Sequence, residues 1–386
     1  MKKLSHTPEK AIRESAPGAS NSLRSGLMII CGLLAFLLYA NTLNHEYVLD
    51  DETAIVKNAF TQEGVSALPK IFSSSYRAGF DERKEGLYRP LSVALFAIEW
   101  EVAPGNPHLG HWINVLLYVL TAMILFITLS LFFANKNLLL PFVTTLLFVA
   151  HPIHTEVVAN IKSSDEILCF LFSIISLWAV IKYARENRTL YLFISGITIF
   201  AGMLSKETAV TMVAVAPLTV YFFSNAGTKK LLIAAVPFIA AFVLYMAIRI
   251  SVLKGMTGFE EIQIINNSLV AAGDDTTSRV ATAIFILGRY LWLLIFPTPL
   301  CFDYSYNTIP LTSFGDPKTL LSLVTILALT IIAVRGWKSK SPVAWGLIFM
   351  GATLLLVSNL FFLIEATLAE RFLYMPSLGF CSAITL

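Results

Sequence analysis

Charged residues are scarce in this sequence: they make up 14% of its 386 residues, while 56% are hydrophobic. A soluble chain carries about a quarter charged residues, and these interrupt its apolar runs. Here the apolar runs are long enough to cross the roughly 30 Å hydrocarbon layer of a bilayer. A soluble globular fold is therefore excluded, and the sequence predicts an all-α, multi-pass integral membrane protein. The net charge of +3 points to no nucleic acid partner.

Cysteine is also rare, and its placement excludes two kinds of chemistry. Three of the four cysteines, Cys31, Cys169 and Cys381, lie inside apolar runs, and Cys301 lies alone in a loop. No disulfide pair and no metal-binding spacing follows from these positions. The sequence also contains no internal repeat, low-complexity linker or separate soluble domain.

Eleven apolar runs are candidate membrane spans. They cover residues 26–43, 109–133, 138–151, 164–183, 189–204, 207–224, 231–250, 279–297, 318–334, 342–364 and 372 onward. Short loops rich in Lys and Arg favour the cytoplasmic side, and such loops surround Lys136, Arg185, Lys229 and Lys338. In this frame residues 1–25 are a cytoplasmic tail, residues 26–386 form one multispanning domain, and residues 44–108 form a large first extracytoplasmic loop.

The frame contains one conflict. Three apolar runs separate the basic loops at Lys229 and Arg335, and an odd number of crossings cannot join two points on one side of a membrane. One run must be re-entrant, or one crossing is hidden. The runs 231–250 and 279–297 carry Arg249 and Arg289, so either run qualifies as the irregular one.

The first extracytoplasmic loop holds a helix and an acidic motif. Pro90 suits the first position of a helix, and we expect residues 91–102 to lie along the membrane surface. The motif 47–52 contains adjacent carboxylates, Asp50 and Asp51, which suit a catalytic pair, a metal ligand set or a solvated loop. We favour Asp51 as the working carboxylate because it lies farther from the first span, with Asp50 capping the following turn.

Several cations lie at the expected outer face, where they suit binding of an anionic ligand. Arg89 follows Tyr88 at a helix start, Lys206 precedes Glu207 between two apolar runs, and Glu370 precedes Arg371. Charges at membrane depth are costly unless they are paired or hydrated, so each is a functional candidate. The structural alternatives are an interface anchor for Arg89 and a solvated hairpin tip for Lys206. The counter-charge of Arg371 should come from Glu370 or from a ligand.

Two imidazoles and a carboxylate, from His151, His154 and Glu156, fall within six residues. Zinc motifs of this type place two histidines four residues apart on a regular helix. Pro152 indicates a turn or a helix start instead. We therefore predict a hydrogen-bonding role or a helix-end contact to an anionic ligand for these residues, and no metal or other cofactor, since a divalent metal has no support.

Seven motifs together make the chain resemble a known family. They are residues 47–51 with Asn58, 88–91, 106–107 with His111 and Asn114, 151–156, 204–207, 303–305 and 370–376. In this order they resemble the multispanning GT-C glycosyltransferases that use polyprenyl-phosphate sugars. The similarity is greatest to the transmembrane O-mannosyltransferases bearing tetratricopeptide repeats. Helical repeats of that kind are lacking here, so a module that recruits the acceptor is either absent or lies beyond Leu386. Because the sequence stops inside an apolar run, we expect a C-terminal continuation.

The resemblance implies a membrane glycosyltransferase that moves mannose from a polyprenyl-phosphate donor to a hydroxyl acceptor, such as a protein Ser or Thr. Transfer would take place on the extracytoplasmic face among membrane lipids and would invert the anomeric carbon. Asp51 and Asp50 would act on the acceptor. The expected donor-binding residues are Arg89, Lys206, Glu207, Arg249 and Arg371, supported by His151, His154, Glu156, Asn58 and Tyr88.

The expected location is a bacterial inner membrane, or the endoplasmic reticulum membrane if the source is eukaryotic. Two other classes remain open. A transporter or flippase would line a pathway with polar residues, but transporters commonly show related halves with broken helices near the midplane. A non-catalytic subunit of a glycosylation complex would tolerate loss of the charge at Asp51.

Overall fold

The computed structural model describes residues 21–81, 86–133, 138–254 and 261–385. Over these ranges the chain is all helical and contains no strand, which confirms the predicted fold class. Its α-helices are α1 (Asn21–Tyr39), α2 (Ala59–Gln62), α3 (Leu68–Phe72), α4 (Pro90–Val102), α5 (Pro107–Phe132), α6 (Leu139–Val149), α7 (Thr155–Ala159), α8 (Ser164–Glu186), α9 (Leu190–Ser205), α10 (Met212–Phe223), α11 (Thr228–Leu253), α12 (Thr276–Ile295), α13 (Pro317–Trp337), α14 (Pro342–Leu355) and α15 (Pro376–Ile384).

Each of the eleven predicted apolar runs overlaps one of these helices, although in the run 342–364 the helix ends at Leu355. In the described part of the chain, six helical segments are long and apolar enough to span a bilayer, and a bent pair around His151 would make a seventh. The apolar segments 190–205, 207–223 and 342–355 are shorter. The chain is therefore a membrane protein by its helices, while eleven crossings stay a prediction. Residues 21–25 belong to α1, and the rest of the predicted tail, with Lys136, lies outside the described residues.

The helices bring the loops together in two groups. We call one end of the bundle the basic end, because Lys230 and Lys340 meet there: their Nζ atoms donate to the carbonyls of Ala184 and Ser224, both at 3.0 Å. We call the other end the site end, where the first loop meets the starts of α8 and α10. Among the described residues, the basic loops around Arg185, Lys229 and Lys340 thus lie at one end of the bundle, and the loops predicted to be outer meet at the other.

Helix α12, one of the two runs in the parity conflict, contacts the bundle near both of its ends. Near its start, the Thr282 hydroxyl accepts a hydrogen bond from the Thr312 N–H, close to the first turn of α13. At its other end, the Leu294 carbonyl lies 2.9 Å from the His151 imidazole. Both α11 and α12 are long and apolar enough to cross a bilayer. That one of the runs 231–250 and 279–297 is irregular therefore stays a prediction.

Packing is tightest around α8. This helix packs against α5, α9 and α10, and 78% of its apolar window is buried, whereas only 17% of the window in α13 is buried. Helix α14 approaches α15 at Gly346 and Gly379, where an added Cβ on Gly379 would lie 2.3 Å from the Gly346 carbonyl oxygen. Small residues permit such close backbone contact between membrane helices. The exposed apolar side chains of α13 suit contact with lipid.

The first loop forms a compact cap at the site end. A π-helical turn (Glu52–Val56), α2 and α3 pack against α4, which begins at Pro90 as predicted. Helix α4 buries Val93, Phe96 and Ala97 against the hydrophobic side chains of this cap. The expectation that α4 simply lies along the membrane surface is incomplete, because its inner face is part of a small core that fixes the position of Arg89.

Candidate active site

Seven charged side chains from three separate stretches of the chain meet at the site end. Their sequence separations are large, since Arg89 bonds to residues 76 and 118 positions away. They are Asp50 and Arg89 from the first loop, Lys162, Asp165 and Glu166 around the start of α8, and Lys206 and Glu207 between α9 and α10. We call these seven residues the charge cluster.

Arg89 is held by two carboxylates rather than left open for a ligand. Its Nε and Nη2 donate to the two oxygens of Glu207 at 2.8 and 2.5 Å, and its Nη1 donates to Asp165 Oδ2 at 2.7 Å. The guanidinium also lies over the Tyr76 ring, 5.4 Å from its centroid. Burial alone would lower the pKa of Arg89, but the charges of Glu207 and Asp165 outweigh it and raise the pKa. Arg89 thus joins the first loop to α8 and α10.

Asp165 is the centre of the charge cluster, and it is completely buried. Its Oδ2 lies 2.7 Å from Arg89, 3.5 Å from Lys206 Nζ and 3.6 Å from Lys162 Nζ. Lys206 makes its shorter ion pair, 2.7 Å, with Glu166. Buried charges persist only when they are paired in this way. The Lys206 side chain is therefore buried and does not reach the surface of the site.

The sequence reasoning did not select Lys162, Asp165 or Glu166. The signal was present, because three charged residues within five positions open a span that is otherwise apolar. The argument that charges at membrane depth are functional candidates, which selected Lys206 and Glu207, applies to them equally. They were missed because they follow a segment interpreted as a plain turn.

Asp50 and Asp51 have different surroundings. Asp51 is completely buried, and its carboxylate accepts the Val48 N–H at 3.0 Å and the Lys162 N–H at 2.7 Å. The Asp50 side chain is 42% exposed and lies 3.7 Å from both Arg77 and Lys162. The Asp50 backbone carbonyl also accepts hydrogen bonds from the Thr53 hydroxyl and the Ala54 N–H. Asp50 is the accessible carboxylate, and Asp51 fixes the loop that carries it.

The protonation of these acids follows from their surroundings. Burial alone would raise the pKa of Asp50, but the positive charges of Lys162, Arg371 and Arg77 lower it overall. Burial raises the pKa of Asp51 to about 6, although its two amide hydrogen bonds act in the opposite direction. Burial, with the nearby charge of Asp51, raises the pKa of Glu99 on α4 to about 8. Of these three acids, Asp50 is therefore the one that is both ionised and accessible at neutral pH.

Arg371 obtains its counter-charge from Glu156, not from Glu370 as expected. Its Nη1 pairs with Glu156 Oε1, and its backbone N–H donates to Glu156 Oε2 at 2.9 Å. Glu370 instead accepts hydrogen bonds from the Cys301 N–H at 2.5 Å and the Tyr304 hydroxyl at 2.8 Å. The Arg371 side chain remains 24% exposed. Its charge lies close enough to lower the pKa of Asp50.

The two histidines bond to protein groups. His151 begins a 3₁₀ turn, as Pro152 indicated: its Nδ1 accepts the Ile153 N–H, and its Nε2 lies 2.9 Å from the Leu294 carbonyl. His154 is buried between the Tyr118 hydroxyl at 3.0 Å and the Ser377 hydroxyl at 2.9 Å. Neither imidazole lies in the charge cluster, and the described residues contain no group of three side chains suited to a metal ion.

Three other predicted site residues hold the first loop in place. Asn58 caps α2, its Oδ1 accepting the N–H groups of Phe60 and Thr61. The Tyr88 hydroxyl donates to the Phe72 carbonyl at 2.8 Å. Arg249, near the end of α11, donates through Nη2 to the Gly86 carbonyl at 2.6 Å. All three contacts join main-chain segments of the loop to each other or to the bundle.

Two family models match separate parts of the chain. Residues 94–253 match the model described as dolichyl-phosphate-mannose-protein mannosyltransferase. Residues 270–330 match the model described as protein O-mannosyl-transferase TMTC, DUF1736. The charges around α8 and the α9–α10 turn lie within the first range, whereas Asp50, Asp51, Arg89 and Arg371 lie outside both ranges.

Curated relatives match nearly the whole chain. Protein O-mannosyl-transferase TMTC3 from Homo sapiens is 28% identical over 375 residues, covering 89% of this chain and 40% of the relative. TMTC1 from Homo sapiens is 28% identical, covering 95% and 45%. Protein O-mannosyl-transferase F38B6.6 from Caenorhabditis elegans is 27% identical, covering 94% and 51%. This chain thus spans about half the length of these relatives.

No solved structure matches the chain significantly. The two family models and the curated relatives confirm the resemblance indicated by the sequence motifs. The chain is an integral membrane protein, helical throughout its described ranges, and it is similar over most of its length to protein O-mannosyl-transferases.

Proposed function

We propose that this protein is an inverting mannosyltransferase that moves mannose from a polyprenyl-phosphate donor to the hydroxyl of a protein Ser or Thr. The proposal rests on the accessible, ionised Asp50 carboxylate, which lies at the edge of the charge cluster, 3.7 Å from Lys162 Nζ. The relatives that are named protein O-mannosyl-transferases support the sugar and the protein acceptor.

Asp50 acts as the general base in this mechanism. Its carboxylate accepts a hydrogen bond from the acceptor hydroxyl and takes the proton as the hydroxyl oxygen bonds to the anomeric carbon. The bond from that carbon to the phosphate oxygen breaks, and the phosphate leaves with the electron pair. Attack from the face opposite the phosphate inverts the anomeric carbon. Asp51 is a positioning residue, because its carboxylate accepts the N–H of Val48 in the first loop and the N–H of Lys162 before α8.

Arg371 is the residue best suited to the departing phosphate. Its guanidinium is partly exposed, and within the described ranges its side chain bonds only to Glu156. A fixed cation at the leaving group stabilises negative charge as that charge develops. Arg89 and Lys206 are buried against carboxylates, so we assign them to holding Asp165, Glu166 and Glu207 in place. This assignment replaces the expectation that all of these cations contact the donor.

The topology of the proposal follows from the basic end of the bundle. Lys and Arg favour the cytoplasmic side of a membrane, which puts Asp50 on the extracytoplasmic side. The cell membrane of a bacterium, or the endoplasmic reticulum membrane in a eukaryote, suits a lipid-linked sugar presented on that side. Labelling of single cysteines with an impermeant reagent in intact cells tests this orientation. Labelling at position 338 together with protection at position 50 would reverse it.

The direct test uses purified protein, polyprenyl-phosphate mannose and acceptor peptides, with sugar transfer measured by mass spectrometry. We expect a mass gain of one hexose on Ser or Thr. The matched control for Asp50→Asn is Glu52→Gln, because Glu52 is an exposed neighbour paired only with Lys57 at the surface. Equal transfer by Asp50→Asn, Asp51→Asn and the parent would eliminate the carboxylate mechanism and favour a transporter or a non-catalytic subunit.

A further inference from the structure

A large cavity lies at the basic end, far from Asp50 along the helices. Its volume is about 1180 Å³, and it opens where α5, α8 and α10 end and α11 and α14 begin. Ligand pockets are commonly about 300–1,000 Å³, so a sizeable group fits. The proposed transfer reaction uses no residue of this cavity.

The charged lining of the cavity is entirely positive. Arg185, Lys229, Lys230 and Lys340 line it, and no carboxylate is present among the lining residues that the structure describes. Lys230 and Lys340 each use an N–H for a main-chain carbonyl, and each ammonium has three such donors. The Lys229 side chain makes no hydrogen bond or ion pair within the described ranges. The cations of the cavity therefore retain N–H groups that are not used in the contacts described above.

Two helix starts add to this positive character. Helices α11 and α14 begin at the cavity, and in neither does the N-cap residue, Gly227 or Ser341, bond through its side chain to the first turn. Free N–H groups and the positive end of the helix dipole favour an anion. The positive ends of both helices thus lie in the same region as the four cations, although Pro342 has no N–H and the Lys230 N–H already donates to the Gly227 carbonyl.

The simpler explanation is that the cations only cap helix carbonyls. Lys230 bonds to Ala184 near the end of α8, and Lys340 and Arg185 bond to Ser224 and Phe223 at the end of α10. Capping accounts for these three side chains. It does not account for Lys229, for the two uncapped helix starts or for the size of the cavity.

We infer that this cavity binds the phosphate of an anionic phospholipid headgroup. A lipid is the favoured source of the phosphate because the cavity is continuous with lipid-facing surface: Ile233 lines it, while Leu232 and Val236 on the same helix are exposed. Phe132 and Phe223, stacked at 4.6 Å, form an apolar wall beside the cations. Basic pockets between membrane helices are suited to such headgroups.

Native mass spectrometry of the full chain in detergent tests the inference, with phosphatidylglycerol and phosphatidylcholine as probes. We expect preferential retention of phosphatidylglycerol. Replacing Lys229 and Lys230 by Gln should weaken its binding by about fivefold per charge removed, or roughly 25-fold together. Lys338→Gln is the matched control, because Lys338 lies at the same end but does not line the cavity. Lys229→Gln alone preserves the carbonyl contacts, so it tests the site without loss of a helix cap.

Three results would count against the inference. Equal retention of the two lipids by the parent protein would overturn it, as would equal phosphatidylglycerol binding by the parent and the double variant. Thermal protection by inorganic phosphate that equals protection by phosphatidylglycerol would overturn the lipid source. Sugar transfer is not part of this test, so the lipid site and the proposed function can fail separately.

Discussion

The Asp51 carboxylate accepts the backbone N–H of Lys162 at 2.7 Å, across 111 positions of the chain. Through this bond the first loop is fixed to the start of α8. Lys162 Nζ then lies 3.7 Å from the neighbouring Asp50. One buried carboxylate thus positions the cation that lowers the pKa of the exposed carboxylate next to it.

The first prediction separates the two aspartates. Asp50→Asn removes the base but no amide hydrogen bond, so we expect a loss of roughly 100-fold or more in transfer rate with normal folding. Asp51→Asn replaces one of the two oxygens that accept the Val48 and Lys162 N–H groups by an NH₂ donor, and we expect a loss of about 1.5–3 kcal/mol in stability. Transfer assays and thermal unfolding in detergent provide the two measurements. A larger stability loss for Asp50→Asn than for Asp51→Asn would contradict the assignment.

The helices were largely predictable from sequence, while the site was predictable only in part. Apolar runs locate the helices because a helix that crosses lipid needs an apolar surface along its length. Adjacent aspartates were expected to point in different directions. The choice between Asp50 and Asp51 depended on the Lys162 N–H, which lies just before α8 and contacts Asp51 only in the folded chain. Likewise, the pairing of Arg371 with Glu156 joins residues 215 positions apart. Sequence spacing carries no information on such contacts.

The second prediction concerns pH. The pKa of Glu99 is raised to about 8 in the folded protein from an ordinary value of 4.5, so the folded state binds more protons than the unfolded state between these values. The stabilising effect of protonated Glu99 is therefore full below about pH 4.5 and is lost as pH rises to about 8. Glu99→Gln, which stays neutral, should reduce the fall in melting temperature across this range.

Glu101→Gln is the control for the pH experiment, because Glu101 is an exposed residue on the same helix. Asp51, whose pKa is about 6, contributes a smaller fall in stability with rising pH, and this fall is complete near pH 6. The Glu99 effect is therefore measured between pH 6.5 and 8. An unchanged pH profile in Glu99→Gln over this interval would show that Glu99 is ionised in the folded protein.

The third prediction tests the role of Arg89 as a link between the loop and the bundle. Arg89→Gln leaves Asp165 and Glu207 without their main partner, and breaking a buried ion pair costs about 3–5 kcal/mol. Glu207→Gln in the same chain should recover part of this loss, because one unpaired charge is removed. The fraction that remains monodisperse after heating, measured by size-exclusion chromatography, reports the change. Purely additive losses in the double variant would argue against direct coupling of the two residues.

The last prediction decides which cation binds the donor phosphate. Arg371 is partly exposed beside Asp50, whereas Lys206 is 2% exposed and pairs with Glu166. Loss of a charge-assisted contact costs about 1.5–3 kcal/mol, so Arg371→Gln should reduce transfer at limiting donor roughly ten- to a hundredfold. Glu156→Gln, which frees the guanidinium while keeping its charge, should affect donor use less. Lys206→Gln should lower thermal stability, and transfer per folded molecule should fall less than with Arg371→Gln. The reverse order, with Lys206→Gln folding normally and losing donor affinity, would mean that the buried pair opens to admit the phosphate.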